Sequence, residues 1–184
     1  MKKLPAIVLL VLVLGALGSC LKTSEAWEQY KEWYYLNQAW LEEQKALTNP
    51  DGTPYYTKLV ASFDDQKEVY IHYFNDRSKT AKNLRPLVSS TVDVKYIGRL
   101  YDGTAFDSSY VNVSPADSIF RTTLTSVIKG WTIALMDMHV GDSCRVVIPY
   151  QSAYGTTINE SSVIYPYSVL EFDIKLVDIN KYEL

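Results

Sequence analysis

The sequence predicts an antiparallel α+β fold in which several strands pack against one short helix. Three observations support this class. Segments with alternating apolar and polar residues recur from residue 68 onward, a single short amphipathic helix interrupts them, and the regular strand–helix alternation that builds parallel sheets is missing. With 184 residues, 47% of them apolar, the chain can form one core and a smaller appendage.

The N-terminal residues predict an export signal. Met1 to Lys3 is basic, and Ile7 to Leu17 is nearly all aliphatic but shorter than the about 20 residues that span a membrane. Leu17-Gly-Ser-Cys20 resembles the lipobox of bacterial lipoproteins, in which the cysteine is lipidated and becomes the mature N-terminus. An ordinary signal peptide with an incidental cysteine is the alternative. We expect a lipoprotein signal peptide over residues 1–19 and a lipid on Cys20.

Residues 20–67 are predicted to form a tether and an aromatic-rich helix. Ser24 suits the N-cap, and the helix should run to about Ala46, before the turn cluster Thr48 to Pro54. The large apolar side chains recur at or near helical spacing: Trp27, Tyr30, Trp33, Tyr34, Leu36, Trp40 and Leu41. Such a face suits a partner or a membrane surface, but the acidic opposite face favours packing against the following domain.

From Glu68 onward the pattern is that of strands, and we assign residues 68–184 to the main domain. The expected strands are Val69 to Phe74, Thr91 to Tyr101, Ser143 to Ile148 and Val169 to Ile179. The one short helix is expected at Trp131 to Met138. Asp102-Gly103 predicts a hairpin turn. The stretches 75–86, 111–116 and 154–167 are expected to be loops.

Charge and motif content exclude several function classes. Loss of Lys2 and Lys3 with the signal leaves 16 Lys and Arg against 21 Asp and Glu, a net charge of −5 without a basic stripe, so nucleic acid is not an expected partner. No His/Cys/Asp cluster has metal-ligand spacing, and no phosphate-binding glycine loop or Gly-x-Ser-x-Gly elbow occurs. We therefore expect neither a metal nor a cofactor.

Three residue types leave alternatives open. Cys144 alternates with Val146 and Ile148, which favours a core position over a reactive thiol. His139 is expected to flank the short helix, with a catalytic role as the alternative. The 15 tyrosines indicate either a carbohydrate- or peptide-binding surface or replacement of Leu and Phe in a β-rich protein.

Two segments about twenty residues apart carry the strongest functional signal. They are Val94-Lys-Tyr-Ile-Gly-Arg-Leu-Tyr-Asp-Gly-Thr-Ala-Phe-Asp-Ser-Ser109 and Ser126-Val-Ile-Lys-Gly-Trp131. Together they predict one apolar pocket walled by Tyr96, Phe106, Asp107, Val127, Ile128 and Trp131. Asp107 is either a base with a raised pKa or a buried acceptor that holds the pocket together.

These motifs resemble the FK506-binding protein (FKBP) family of peptidyl-prolyl cis-trans isomerases. The resemblance extends in order over about residues 69–180, through Tyr96 to Ser109, Val127 to Trp131, Met138 to Gly141, Ala153 to Gly155, Ile164 to Pro166 and Leu170 to Leu176. Departures flank the pocket: Ser126 and Thr132-Ile133 stand where the family usually has acids, and Tyr165 replaces a proline.

The resemblance implies a five- to six-stranded antiparallel sheet wrapped around the short helix, with the aromatic helix as an extension. By motif position the catalytic residues would be Phe106, Asp107 and Tyr154. The substrate-binding residues would be Tyr96, Phe120, Val127, Ile128, Trp131, Ile164 and Phe172, with Trp131 as the floor. Proline-containing polypeptides would be the partners, and FK506-like macrolides further ligands.

The expected function is that of an exported prolyl isomerase that assists the folding of envelope proteins and is held in the membrane by the lipid on Cys20. Leu21 is not the acidic residue of an inner-membrane retention signal, which favours the outer membrane. One alternative is a non-catalytic module that binds proline-containing peptides. Another is a surface interaction protein that works through the helix at 25–46.

Overall fold

The computed structural model describes residues 27–62, 64–111, 118–159 and 162–181. In chain order the elements are α1 (27–46), β1 (Thr57–Ala61), β2 (Asp64–Tyr73), β3 (Thr91–Leu100), β4 (Ala105–Ser108), β5 (Phe120–Thr123), α2 (Lys129–Asp137), β6 (Ser143–Ile148) and β7 (Leu170–Lys181). Short 3-10 turns lie at Arg77–Lys79, Leu124–Ser126 and Tyr150–Ser152. The predicted signal peptide, Cys20, Ser24 and most of the predicted loop at 111–116 lie outside the described residues.

The seven strands form one antiparallel sheet in the order β1-β2-β6-β7-β3-β4, with β5 paired to β3. The predicted α+β class is confirmed. The centre of the sheet is the long pair of β3 and β7, which extends from Thr91 opposite Lys181 to Leu100 opposite Leu170, with register shifts at Thr91/Val92 and Asp93/Val94. This pairing sets Gly98 opposite Phe172 and so determines what lies on the inner face of the sheet.

The core lies between the inner face of the sheet and α2. The inward residues of β3 and β7 alternate as predicted, and Val94, Leu170 and Leu176 are fully buried. Each such side chain stabilises the fold by about 1.5–3 kcal/mol. Cys144 lies in the same core, where its thiol is 3.7 Å from the sulfur of Met138, and burial raises the pKa of that thiol.

The strand pattern begins earlier than predicted. The sequence indicated strands only from Glu68, whereas β1 and the first residues of β2 precede it and bring the sheet to seven strands instead of five or six. The reason is that β1 is an edge strand. Only Leu59 and Ala61 of β1 turn toward the core, so its sequence lacks a clear apolar alternation.

Two further boundaries differ from the predictions. Phe106 and Asp107 lie on the short strand β4, which the sequence did not predict and which pairs with β3 with a register shift at Gly98/Arg99. The short helix begins at Lys129, before the predicted Trp131.

The aromatic helix α1 packs on the outer face of the sheet. Leu41 of α1 joins Tyr56, Tyr70, Val147 and Val169 in a second apolar cluster. The sequence left open whether this helix packs against the domain or meets a partner or membrane surface. Packing against the domain is confirmed for its buried face. None of the helices within the described ranges is both long and apolar enough to cross a membrane.

A buried carboxylate fixes the segment after β2 to the end of α2. Asp142 is fully buried and accepts hydrogen bonds from the backbone N–H of His139 (2.8 Å), the Thr80 hydroxyl (2.5 Å) and the Asn75 amide (3.0 Å). The Arg77 guanidinium lies 3.4 Å from the same carboxylate. His139 thus flanks α2, as predicted.

Candidate functional site

A cavity of about 350 Å³ opens on the inner face of the sheet beside the N-terminus of α2. Its lining residues come from β3, β4, β5, β7, α2 and the neighbouring loops: Tyr96, Phe106, Asp107, Phe120, Ser126, Val127, Ile128, Trp131, Tyr154 and Phe172. Most of these residues are far apart in sequence, and the pairing of β3 with β4, β5 and β7 brings them together.

The floor of the cavity is the indole of Trp131, which is only 4% exposed. Its ring meets the rings of Tyr96 and Phe172 edge to face, with centroids 4.9 and 5.2 Å apart, a favourable geometry for aromatic pairs. Trp131 lies in the first turn of α2, where its backbone N–H donates to the Ile128 carbonyl at 3.0 Å. The floor is therefore held by both the sheet and the helix.

One wall consists of Phe106 and Phe172, whose rings meet edge to face at 5.6 Å. Both rings lie directly over the backbone of Gly98. A Cβ atom at Gly98 would be 2.7 Å from the Phe172 ring and 2.8 Å from the Phe106 ring, closer than real Cβ atoms approach other atoms. Glycine at this position is thus a steric requirement for the wall.

Replacement of Gly98 by alanine is expected to destabilise the fold by about 1–3 kcal/mol and to narrow the cavity, because the added methyl overpacks the site and pushes the two rings away from the sheet. Urea unfolding measures the first effect. The double variant Gly98→Ala/Phe106→Leu should regain part of the loss, because the smaller side chain removes one of the two clashes. An unchanged unfolding midpoint for Gly98→Ala would contradict this description of the wall.

Asp107 lies at the mouth of the cavity and is exposed. Its carboxylate accepts a hydrogen bond from the Tyr96 hydroxyl at 2.6 Å and another from the backbone N–H of Ser108 at 2.8 Å. Burial of the Tyr96 phenol and its bond to Asp107 raise the pKa of Tyr96. The geometry agrees with an acceptor that orients the wall, but the expectation that this acceptor is buried was wrong, because β4 is an edge strand open to solvent.

Tyr154 also lines the cavity and is 52% exposed. Partial desolvation of its phenol raises the pKa of Tyr154, and the nearby negative charge of Asp107 raises it further. The Tyr154 hydroxyl is therefore a protonated donor at neutral pH. A substrate in the cavity would meet both this donor and the Asp107 carboxylate.

The wall predicted from the sequence differs from the observed one at two positions. Ile164 is not among the residues that line the cavity, and its half-buried side chain packs against the main core. Ser126 lines it instead, and its hydroxyl lies 2.7 Å from that of Thr123. Ser126 adjoins the predicted Val127, so its place in the motif was the signal that could have found it. In the described part of the chain, no group of three or more His, Cys, Asp or Glu side chains could hold a metal.

A family model described as FKBP-type peptidyl-prolyl cis-trans isomerase matches residues 83–177, more than half of the chain. The chain belongs to this family. The matched segment begins before β3 and ends within β7, so it contains the whole cavity lining. The helix α1 and the strands β1 and β2 precede it.

Curated relatives agree with this membership. The chain is 48% identical over 94 residues to "Macrophage infectivity potentiator" of Trypanosoma cruzi, covering 51% of this chain and 45% of that protein. It is 41% identical over 96 residues to "Peptidyl-prolyl cis-trans isomerase Mip" of Coxiella burnetii, covering 52% of this chain and 40% of that protein. The chain therefore spans less than half the length of these relatives.

Two crystal structures resemble the fold over most of the chain. One is a peptidyl-prolyl cis-trans isomerase from Pseudomonas syringae pv. tomato, with a TM-score of 0.63, 27% identity, and coverage of 83% of this chain and 96% of that one. The other is FkpA from Escherichia coli, with a TM-score of 0.62, 25% identity, and coverage of 97% of this chain and 83% of that one.

Proposed function

We propose that the cavity over Trp131 catalyses cis–trans isomerisation of peptide bonds that precede proline. The observation that carries this proposal is an apolar, aromatic cavity that is lined by one carboxylate, Asp107, and one phenol donor, Tyr154, in a chain of the FKBP family. Its volume of about 350 Å³ suits a proline ring and its immediate neighbours, at the lower end of the range for small-ligand sites.

The chemistry requires no covalent intermediate. The barrier to rotation about a peptide bond is about 18–20 kcal/mol and arises from amide resonance. Twisting the bond removes the resonance and lowers the polarity of the C–N unit, so a dry aromatic site favours the twisted state over the planar, better hydrated one. The site then stabilises the transition state more than the ground state, which is the condition for catalysis.

The cavity residues have separate roles in this proposal. Trp131 supports the proline ring, with Phe106 and Phe172 as the wall beside it. The Ile128 N–H and the Tyr154 hydroxyl donate hydrogen bonds to substrate carbonyls. Asp107 holds the Tyr96 ring in place and faces the twisted carbonyl. The rest of the lining consists of Tyr96, Phe120, Ser126 and Val127.

A protease-coupled assay on a Leu-Pro tetrapeptide tests this function. The parent chain should accelerate isomerisation, an FK506-type macrolide should compete with the peptide, and Phe106→Ala should lose most of the acceleration. Phe74→Ala is the matched control, because Phe74 is 52% exposed and does not line the cavity. Peptide binding without acceleration would leave only the non-catalytic binding module.

We also propose that the chain is exported and lipid-anchored through Cys20, with residues 1–19 removed, and that it assists the folding of exported proteins from the outer membrane. The support is the order of basic residues, aliphatic run and lipobox-like tetrapeptide. Cys20→Ser should abolish metabolic labelling with a fatty acid and move the protein from the membrane to the soluble fraction. Equal labelling of parent and variant would contradict the anchor.

A further inference from the structure

The helix α1 lies outside the segment that matches the family model, yet it packs on the loop that carries Tyr154. Two residues anchor it there. The Trp33 indole N–H donates to the Ser168 hydroxyl at 3.0 Å, and the fully buried Asn37 accepts from the backbone N–H of Val169 at 2.8 Å. The amide of Asn37 also donates to the Trp33 carbonyl at 2.9 Å, which fixes both side chains together.

The turn that holds Tyr154 is bonded on two sides through the next residue, Gly155. The Gly155 N–H donates to the Tyr150 carbonyl at 2.8 Å, and the Tyr167 N–H donates to the Gly155 carbonyl at 2.9 Å. The position of Tyr154 at the rim of the cavity therefore depends on where Tyr150 and Tyr167 lie.

One side chain of α1 contacts both of these residues. The Tyr34 ring is 5.4 Å from the Tyr167 ring and 6.2 Å from the Tyr150 ring, and the latter two rings are 5.4 Å apart. All three contacts are edge to face. Tyr34 thus closes a triangle of rings whose other two members hold Gly155 through their backbones.

Tyr167 also has a strained backbone. Its φ of 67° lies in the left-handed region, which a bulky side chain rarely adopts and which persists only where the surroundings enforce it. The surroundings here include α1, since the Tyr167 ring meets the rings of Trp27, at 5.7 Å, and Tyr34, at 5.4 Å. Loss of these ring contacts would remove part of what holds the Tyr167 backbone, which is strained and donates the hydrogen bond to Gly155.

We propose that Tyr34 is a positioning residue for Tyr154, so that α1 sets the geometry of one side of the cavity. The effect on turnover rests on the proposed isomerase function, whereas the effect on the Gly155 turn does not. The position of Tyr154 at the rim of the cavity would thereby depend on α1, which lies outside the segment that the family model matches.

A double-mutant cycle between Tyr34→Leu and Tyr154→Phe tests the proposal. Tyr34→Leu should lower kcat/KM about threefold to tenfold, in the range of couplings between contacting residues, and Tyr34→Phe should restore it. In the Tyr154→Phe background the same Tyr34→Leu change should have almost no further effect, because it acts through the Tyr154 hydroxyl. Additive losses would overturn the proposal.

Two measurements keep this test separate from the isomerase proposal and from misfolding. Hydrogen exchange of the Gly155 amide should be faster in Tyr34→Leu by about tenfold or more, as expected for local opening. Leu36→Ala, on the same helix at a residue that is 47% exposed and outside the ring cluster, should leave both readouts at the parent level. If the parent lacks isomerase activity, the isomerase function fails and the exchange measurement alone decides the positioning role.

Trp27→Leu provides a second variant should Tyr34→Leu not fold. The Trp27 ring meets the Tyr167 ring at 5.7 Å and the Tyr34 ring at 5.5 Å. This variant should therefore speed Gly155 exchange more than Leu36→Ala does. A Gly155 exchange rate that equals the parent rate in folded Trp27→Leu and Tyr34→Leu would overturn the inference.

Discussion

Replacement of Asp107 by alanine is expected to lower kcat/KM for a proline peptide about ten- to a hundredfold. The change removes the carboxylate that faces the twisted carbonyl in the proposed reaction and the acceptor that holds the Tyr96 ring at 2.6 Å. An interaction with a charged group of this kind contributes about 1.5–3 kcal/mol. Each 1.4 kcal/mol of lost transition-state stabilisation lowers the rate about tenfold. The measurement is the protease-coupled assay at saturating and subsaturating peptide.

Two further variants test the cause of this loss. Asp107→Asn keeps an acceptor oxygen and should recover part of the rate. Asp178→Ala removes an exposed carboxylate on β7, away from the cavity, and should have no effect. If folded Asp107→Ala retains the full parent rate, the carboxylate has no part in the reaction.

Replacement of Asp142 by alanine is expected to give the largest loss of stability, about 3–4 kcal/mol, because it removes the acceptor of a buried network. The donors left without it are the His139 N–H, the Thr80 hydroxyl and the Asn75 amide, beside the Arg77 guanidinium. Urea unfolding at pH 7 measures the change. Asp65→Ala, at an exposed aspartate, is the control and should lie within about 0.5 kcal/mol of the parent.

The buried carboxylate of Asp142 also leads us to expect that the free energy of unfolding falls in acid. Burial alone would raise the pKa of Asp142, but the hydrogen bonds and the Arg77 charge outweigh it and hold this pKa below its ordinary value. A group whose pKa is lower in the folded state stabilises the fold above its unfolded pKa of about 4, and this contribution is lost as the pH falls through the folded value.

The free energy of unfolding should therefore fall as the pH drops below about 4, and Asp142→Asn should show a shallower fall because it cannot titrate. A set of urea curves between about pH 2 and pH 7 compares the two slopes. Parallel slopes would show that Asp142 does not titrate differently on folding. Asp173, whose pKa is lowered by Arg145 and Arg99 despite burial, contributes to the fall in both proteins.

The sequence was sufficient where local pattern and tertiary environment agree. In β3 and β7 each inward residue is apolar, so alternation predicts the strands and the buried face together. It was insufficient for β1, where an edge position exposes most side chains and removes the pattern. The ring contacts of α1 show a similar limit: helical spacing predicts a packed face, but not that Tyr34 meets Tyr150 and Tyr167.

The site was predictable to the extent that motifs fix backbone position. The Val127 to Trp131 motif predicts the floor because it places Trp131 in the first turn of α2. Side-chain direction in loops is not fixed this way: Ile164, half-buried against the core, is not among the lining residues, whereas Ser126 is. Many of the tyrosines that suggested a binding surface serve to join α1 to the domain.

The most direct test of isomerase activity in this cavity is exchange NMR of a Leu-Pro peptide with catalytic amounts of the parent chain, without a coupling protease. Exchange peaks between the cis and trans forms should appear, and they should vanish on addition of an FK506-type macrolide or in Phe106→Ala. Exchange at the uncatalysed rate of the free peptide, with the parent chain folded, would contradict the assignment of isomerase activity to the cavity over Trp131.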